Sequence, residues 1–416
     1  MFAGLPPNST VVAGTIVFVA SYLVFAFGHI PGTRIDRTAM AILGGTLMVV
    51  LGVLTPAQAL AAIDFSTILL LLGMMLLAAG LDEAGFFAWL MDRTLTHLDP
   101  RHLLAAVIVT SGMLSALLIN DVVCVILTPL VLQLARRMRR PSLPYLLALA
   151  TASNIGSVAT ITGNPQNILI ATISHISYLE FLLKLGPVAV LGLASDYFIL
   201  SWIFRKQIHT EVAASPVSEA THKQVPRLRP MVWPLLIVLF VSIAFLLGVN
   251  PALSATVGVC LLMISRHTNA RLLMHEVDLS LLVFFAGLFV VLAGGEAVGL
   301  NDKLLLVSEH LNLRNPAIFT GVVALLSNLV SNVPAVLLLR PVVMYHGATH
   351  HGWLMLAMAS TLAGNLTITG SVANIIVVES ARHDTRVSFW GYLRVGVPVT
   401  LVTLGIGAGW LYLFGG

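Results

Sequence analysis

Hydroxyls, amides and glycine gather in the run Thr160-Ile161-Thr162-Gly163-Asn164-Pro165-Gln166-Asn167-Ile168, inside a chain that is otherwise largely apolar. The run returns as Thr367-Ile368-Thr369-Gly370-Ser371-Val372-Ala373-Asn374-Ile375. Such side chains are neutral donors and acceptors, suited to an oxygen-rich solute or an ion stripped of water. Two other polar points correspond between the halves, Ile119-Asn120-Asp121 and Ser331-Asn332-Val333-Pro334. The residues expected to bind solute are therefore Asn120, Thr162, Gly163, Asn164, Asn167, Asn332, Thr369, Gly370 and Asn374. Small and amide residues also glue helices together in membranes. Packing alone, however, does not require both halves to break at equivalent places.

Asp121 is the most pointed single residue. It stands at a polar tip with no adjacent Lys or Arg, and the second half has Val333 there. An ionisable group inside apolar sequence is costly and usually functional. It suits proton coupling, and the plainer alternative is a cap on the helix that starts at Val122. Asp196, within the apolar run 185–204, is a second candidate for proton coupling, set against an aspartate bonded to a neighbouring helix. Glu296 matches Asp82 across the repeat near a helix end, where a solvated charge is ordinary. Cys124 alone is weak evidence for soft-metal chemistry, and His346, His350 and His351 read as a solvated turn. No HExxH, GxSxG or GxxxxGK[ST] run is present, so neither a metal nor another cofactor is expected, and catalysis is not expected either.

The elements that must position these residues are membrane helices. Of 416 residues, 58% are hydrophobic and 10% charged, against about 25% charged in a soluble chain. Apolar runs recur at 11–28, 38–55, 66–81, 185–204, 231–248 and 390–414, near the roughly 20 residues a span needs. The first lacks a basic leader and a convincing cleavage site, and reads as a retained span. Cys124 and Cys260 both lie in apolar sequence, which argues against a disulfide framework. The net charge of +4 belongs to loop Lys/Arg and implies no nucleic acid.

Basic residues orient the layout. With both termini outside, and two re-entrant hairpins at 102–135 and 316–346, all but four of the 22 Lys/Arg fall on the cytoplasmic side. The expected fold is an all-α polytopic membrane protein with about ten spans, the two hairpins, and broken helices at 144–175 and 353–380. The first repeat covers 1–204, a cytoplasmic linker 205–230, and the second repeat 231–416. Gly73, Gly80 and Gly85 match Gly287, Gly294 and Gly299, and Ser115 and Pro129 match Ser327 and Pro341. An odd number of spans between copies inverts the second, the usual scaffold of alternating access.

Asn120-Asp121, then Leu127-Thr128-Pro129, Asn154-Ile155-Gly156 and Gly163-Asn164-Pro165-Gln166-Asn167, resembles the ion-transporter superfamily. The likeness is nearest to the ArsB-type arsenical permeases and their P-protein relatives, and it covers nearly the whole chain. It implies elevator-like movement of hairpins and broken helices against a scaffold, with frequent homodimers; it leaves an ATPase subunit open. Sodium-coupled anion symporters of the same superfamily carry Ser-Asn-Thr at both tips. Ile119-Asn120-Asp121 and Ser331-Asn332-Val333 depart from that pattern, which favours protons over sodium. No Lys or Arg is expected at the polar chamber, Arg340 being the nearest by sequence. A neutral hydroxylated solute then fits better than a multivalent anion. The expected activity is proton-coupled efflux of arsenite or antimonite from the inner membrane, with lipid as surroundings. The alternative is a sodium/proton antiporter or an anion transporter on the same scaffold.

Overall fold

A computed structural model describes residues 7–30, 32–208, 210, 228–265, 269–346 and 349–415. Most of the expected linker, with Lys223 and Arg227, lies outside the described residues. Among those described, every regular element is a helix. The first half opens with α1 (Pro7–Phe27), α2 (Arg37–Val50), α3 (Pro56–Ala62), α4 (Phe65–Glu83) and α5 (Phe86–His97). A hairpin of α6 (Leu103–Leu117) and α7 (Asn120–Arg137) follows. Then come α8 (Leu143–Ser157), α9 (Pro165–Ser174), α10 (Tyr178–Ile203) and the short α11 (Arg205–Ile208).

The same order recurs. It starts with α12 (Leu228–Leu246), α13 (Pro251–Ile264), α14 (Ala270–His275), α15 (Leu279–Ala297) and α16 (Leu300–His310). The second hairpin is α17 (Pro316–Val330) with α18 (Asn332–Tyr345), followed by α19 (His350–Ala363), α20 (Val372–Ala381) and α21 (Phe389–Phe414). Corresponding helices match closely in length: α4 and α15 have 19 residues, α9 and α20 have 10, α10 and α21 have 26. Their caps match as well. Asp64 and Asp278 accept backbone N–H groups at the starts of α4 and α15, and Ser177 and Ser388 do so for α10 and α21.

The halves interlock. α2 lies along α15 and α4 along α13, so each of these pairs joins one half to the other. Close approach explains two matched glycines. A Cβ on Gly287 would stand 2.6 Å from the Ala41 carbonyl, and one on Gly73 would stand 2.8 Å from the Ala255 Cβ. Small residues let apolar helices gain dispersion contact at short range. α8 from Pro144 to Ser157 and α19 from Trp353 to Ala363 are buried throughout and form the centre.

Among the described residues, six helices are long and apolar enough to cross a membrane: 8–27, 65–83, 100–117, 178–203, 279–297 and 389–414. Others, such as α2, α13 and the hairpin helices, are apolar but shorter. Outward-facing Val190, Phe198, Trp202, Leu401 and Leu413 are largely exposed, a surface that lipid covers and water would not tolerate. This is a multi-pass membrane protein.

Candidate functional site

Six helices, α7, α9, α18 and α20 with α2 and α15, begin around one cavity. It has a volume of about 190 Å³ and is lined by Asn120 and Asp121 of α7, Pro165 and Gln166 of α9, Ser331, Asn332 and Val333 at α18, and Ser371 and Val372 at α20. The first N–H groups of a helix have no partner within it, although Pro165 at the start of α9 has none to give, and the positive ends of the helix dipoles attract oxygen. Both hairpin tips and both broken helices therefore meet at a single chamber.

The breaks are built alike. Between α8 and α9 a short 3₁₀ turn, Ile161–Gly163, redirects the chain, and Ile368–Gly370 does so between α19 and α20. Asn167 donates to the carbonyls of Ser157 (3.0 Å) and Thr160 (2.9 Å). Asn374 donates to Gly364 (2.7 Å) and Thr367 (3.0 Å), the corresponding carbonyls. Each amide thus pays for the backbone that its own break leaves unpaired. Gly163 is required by contact, since a Cβ there would stand 2.2 Å from the Ser157 carbonyl; at Gly370 it would meet Asn328 Oδ1 at 2.6 Å. Asn164 caps α9 by accepting from the Asn167 N–H at 2.9 Å. Thr162 turns away from the chamber to the Tyr178 hydroxyl at 3.1 Å, while Thr369 is exposed and bonds Thr367 at 3.3 Å.

Of the nine residues expected to bind solute, Asn120 and Asn332 line the chamber directly. The others shape or secure the breaks. Asn332 lies 3.1 Å from the Ser360 carbonyl and 3.3 Å from that of Gly370, to which its amide nitrogen donates.

Sequence matching passed over the residues that join the halves. Asn154 accepts from Asn120 (3.0 Å) and Ser371 (2.9 Å), and donates to Asn365 (2.9 Å) and Asn374 (3.0 Å). Its counterpart Thr361 receives Asn164 and Gln166, both at 3.2 Å. Each central helix therefore clasps the break of the other half. Asn154 stands in the Asn154-Ile155-Gly156 run, but its chemical difference from Thr361 hid the correspondence.

Asp121 is partly exposed and borders two cavities. One is the chamber; the other, about 110 Å³, leads past Asp82, Glu276 and Asp278. Ile119, the N-cap of α7, makes no side-chain cap, and the Asp121 carboxyl faces the Ala373 N–H at the start of α20. It bridges the hairpin of one half and the broken helix of the other, beyond any local capping. Asp196 is fully buried away from the chamber and accepts from Thr151 Oγ1 at 3.0 Å.

One expectation is corrected. Arg37, at the start of α2, lines the chamber, with Asp278 also in the wall. Its Nε is buried without a hydrogen-bond partner. In the sequence Arg37 reads as a loop charge, because only the packing of α2 on α15 brings it inward. Arg340 instead pairs with Glu296 at 3.8 Å.

The citrate transporter model, CitMHS, matches residues 22–363, which include the first hairpin, both central helices and the second tip. The chain belongs to the CitMHS citrate transporter family. It is similar to the silicon efflux transporter LSI3 of Oryza sativa subsp. japonica, 33% identical over 95% of this chain and 96% of that one. A chain named as an arsB transporter from Dictyostelium discoideum is 26% identical, covering 96% of this chain and 91% of its own length. The YdaH transporter of Alcanivorax borkumensis shares the fold at a TM-score of 0.61, with 14% identity over 98% of this chain and 97% of that one. This CitMHS-family member is a secondary transporter of the ArsB/CitMHS type, and not an enzyme.

Proposed function

We propose that the protein exports a small, neutral, polyhydroxylated acid in exchange for protons, with arsenous acid and its antimony analogue as the substrates. The observation that carries this reading is the convergence of six helix N-termini and the Asn120 and Asn332 amides on one cavity beside Asp121. A hydroxylated solute finds donors at the tips and breaks, across from a wall of α15 that carries Phe284 and Phe285, and at about 190 Å³ the chamber holds it with some of its water. The likeness to a silicon efflux transporter supports the same chemistry, since silicic acid is also a small neutral hydroxide. Asp121 carries the proton. The two hairpins and broken helices move as one body past a scaffold built on α2 with α15 and α4 with α13, in the inner membrane with both termini outside.

The test is resistance and flux. Expression in an arsenite-sensitive strain should raise tolerance, and everted vesicles should accumulate arsenite when a proton gradient is imposed. No tolerance and no gradient-driven uptake would reject the substrate.

Arg37 favours a second reading, an oxyanion or carboxylate substrate. A guanidinium with a free Nε at the wall of such a chamber suits a charged oxygen. The readings separate by competition. Citrate blocking arsenite flux in wild type but not in Arg37→Gln would select the anion; arsenite flux that ignores both citrate and Arg37→Gln would select the neutral acid.

A further inference from the structure

Asp196 lies in the middle of α10, wholly buried, and enters no ion pair among the described residues. Its Oδ2 accepts from Thr151 on α8, and its Oδ1 has no partner. Two further buried hydroxyls sit on α21: Thr400, without a hydrogen bond, and Tyr392, beside the Asn374 side chain. Register brings them near. α10 and α21 run antiparallel: a Cβ on Gly192 would stand 3.6 Å from Thr403 Cγ2 and one on Gly407 3.2 Å from Val188 Cγ1, which sets Asp196 beside the Val399–Thr400 turn. The Tyr392 ring leans over Gly396, within electrostatic reach of Asp196 and beside Asn374. Tyr392 is the titratable group that faces Asp196 from α21, and α8 presents the neutral Thr151.

The repeat supplies a control inside the same molecule. α10 and α21 align from Tyr178 with Phe389, and α8 and α19 from Leu143 with His350. Thr151 and Asp196 then correspond to Met358 and Gly407, which touch each other: a Cβ on Gly407 would stand 2.6 Å from Met358 Sδ. Tyr392 and Thr400 correspond to Phe181 and Ala189. The symmetry-related junction is packed with four apolar residues, Met358 and Gly407 against Phe181 and Ala189, so packing does not demand polar ones. The junction around Asp196 nonetheless holds a carboxyl and three hydroxyls, Thr151 from one half and Tyr392 and Thr400 from the other.

We infer that Asp196, Thr151, Tyr392 and Thr400 form a buried site for a small monovalent cation, held by hard oxygen donors, apart from the solute chamber. A sodium ion or a proton satisfies this chemistry, because either neutralises the carboxylate where no basic side chain does. The site is wired to the chamber. The Thr151 carbonyl accepts from Asn365 (3.2 Å), Asn365 accepts from Asn154, and Asn154 accepts from Asn120. Occupancy at Asp196 therefore biases the amides that face the solute. This deepens the transporter reading and rests on it for its role, though not for binding itself.

The experiment uses purified full-length protein without solute. Thermal unfolding is followed across sodium chloride concentrations against choline chloride at fixed pH, and across pH in choline. Wild type should gain several degrees with sodium if the ion is sodium, or shift with pH alone if it is a proton. Asp196→Asn keeps an acceptor for Thr151 and should lose that response, while Asp121→Asn should keep a sodium response. Thr400→Val, which preserves shape, should weaken a sodium response and leave a proton response in place. A wild type indifferent to both, or Asp196→Asn responding as wild type does, would overturn the site. Arsenite flux in vesicles is scored separately, so that failure of the substrate reading and failure of this site are told apart.

Discussion

Asp121 stands where two cavities meet, and Asn154 where two halves meet, so each is expected to fail in its own way when changed. Asp121→Asn keeps the size and the acceptor facing Ala373 but removes the charge. Exchange driven by a proton gradient should fall at least tenfold, with solute binding retained by calorimetry; unchanged pH dependence of flux would remove Asp121 from coupling. Asn154→Leu deletes four side-chain hydrogen bonds at once. At about 0.6 kcal/mol for an average hydrogen bond in a membrane protein, the loss is roughly 2 kcal/mol. Unfolding in detergent should show it as a lower melting temperature than that of Asn154→Thr, which copies the Thr361 solution. At this scale the sequence showed which residues are polar but not which way they face. Asn164, Asn167 and Asn374 look like ligands in the chain, yet their amides are spent on backbone and side chains of the breaks. Unpaired carbonyls at a break are a demand no motif displays.

Ser331 alone joins α17 to α18, at φ 74° and ψ 158°, a region that is essentially glycine's own and costs other residues about 1–3 kcal/mol. Ser331→Gly should therefore raise stability by about 1 kcal/mol in denaturant unfolding, and a slower flux in the same variant would show that the rigid tip serves transport. Gly156→Ala tests the opposite case. Its Cβ would stand 2.1 Å from the Gly112 carbonyl, where α8 crosses α6, and backbone cannot give way as a side chain can. A cost near 3 kcal/mol or more is expected, read as loss of monodisperse protein on size exclusion. The hairpins and breaks were legible because polar runs interrupt apolar ones at matched places. The strain at Ser331 was not, because serine carries no mark of its φ.

The whole molecule is two copies of one plan, locked by α2 against α15 and α4 against α13. Tyr22 of α1 donates to the Pro334 carbonyl on α18 at 3.3 Å, which ties the proposed scaffold to a hairpin. If the hairpin moves past the scaffold, cysteines replacing Tyr22 and Ala335, in a chain with Cys124 and Cys260 changed to serine, should stop flux when bridged by a short thiol reagent. Reduction should restore it. Flux that continues after complete cross-linking would exclude this movement. Transport in proteoliposomes should also proceed without nucleotide if the proposed proton gradient alone drives it.

Composition and periodicity determined by themselves that this chain is helical, membrane-spanning and doubled, because lipid tolerates little else and a duplicated run is visible as text. Tertiary structure decided the rest. Arg37 enters the chamber only because α2 packs on α15, and Asn154 becomes a hub only because two breaks from opposite halves meet at it. Sequence records what each side chain can offer; the close approach of helices decides which offers are taken up within the protein and which remain for a solute.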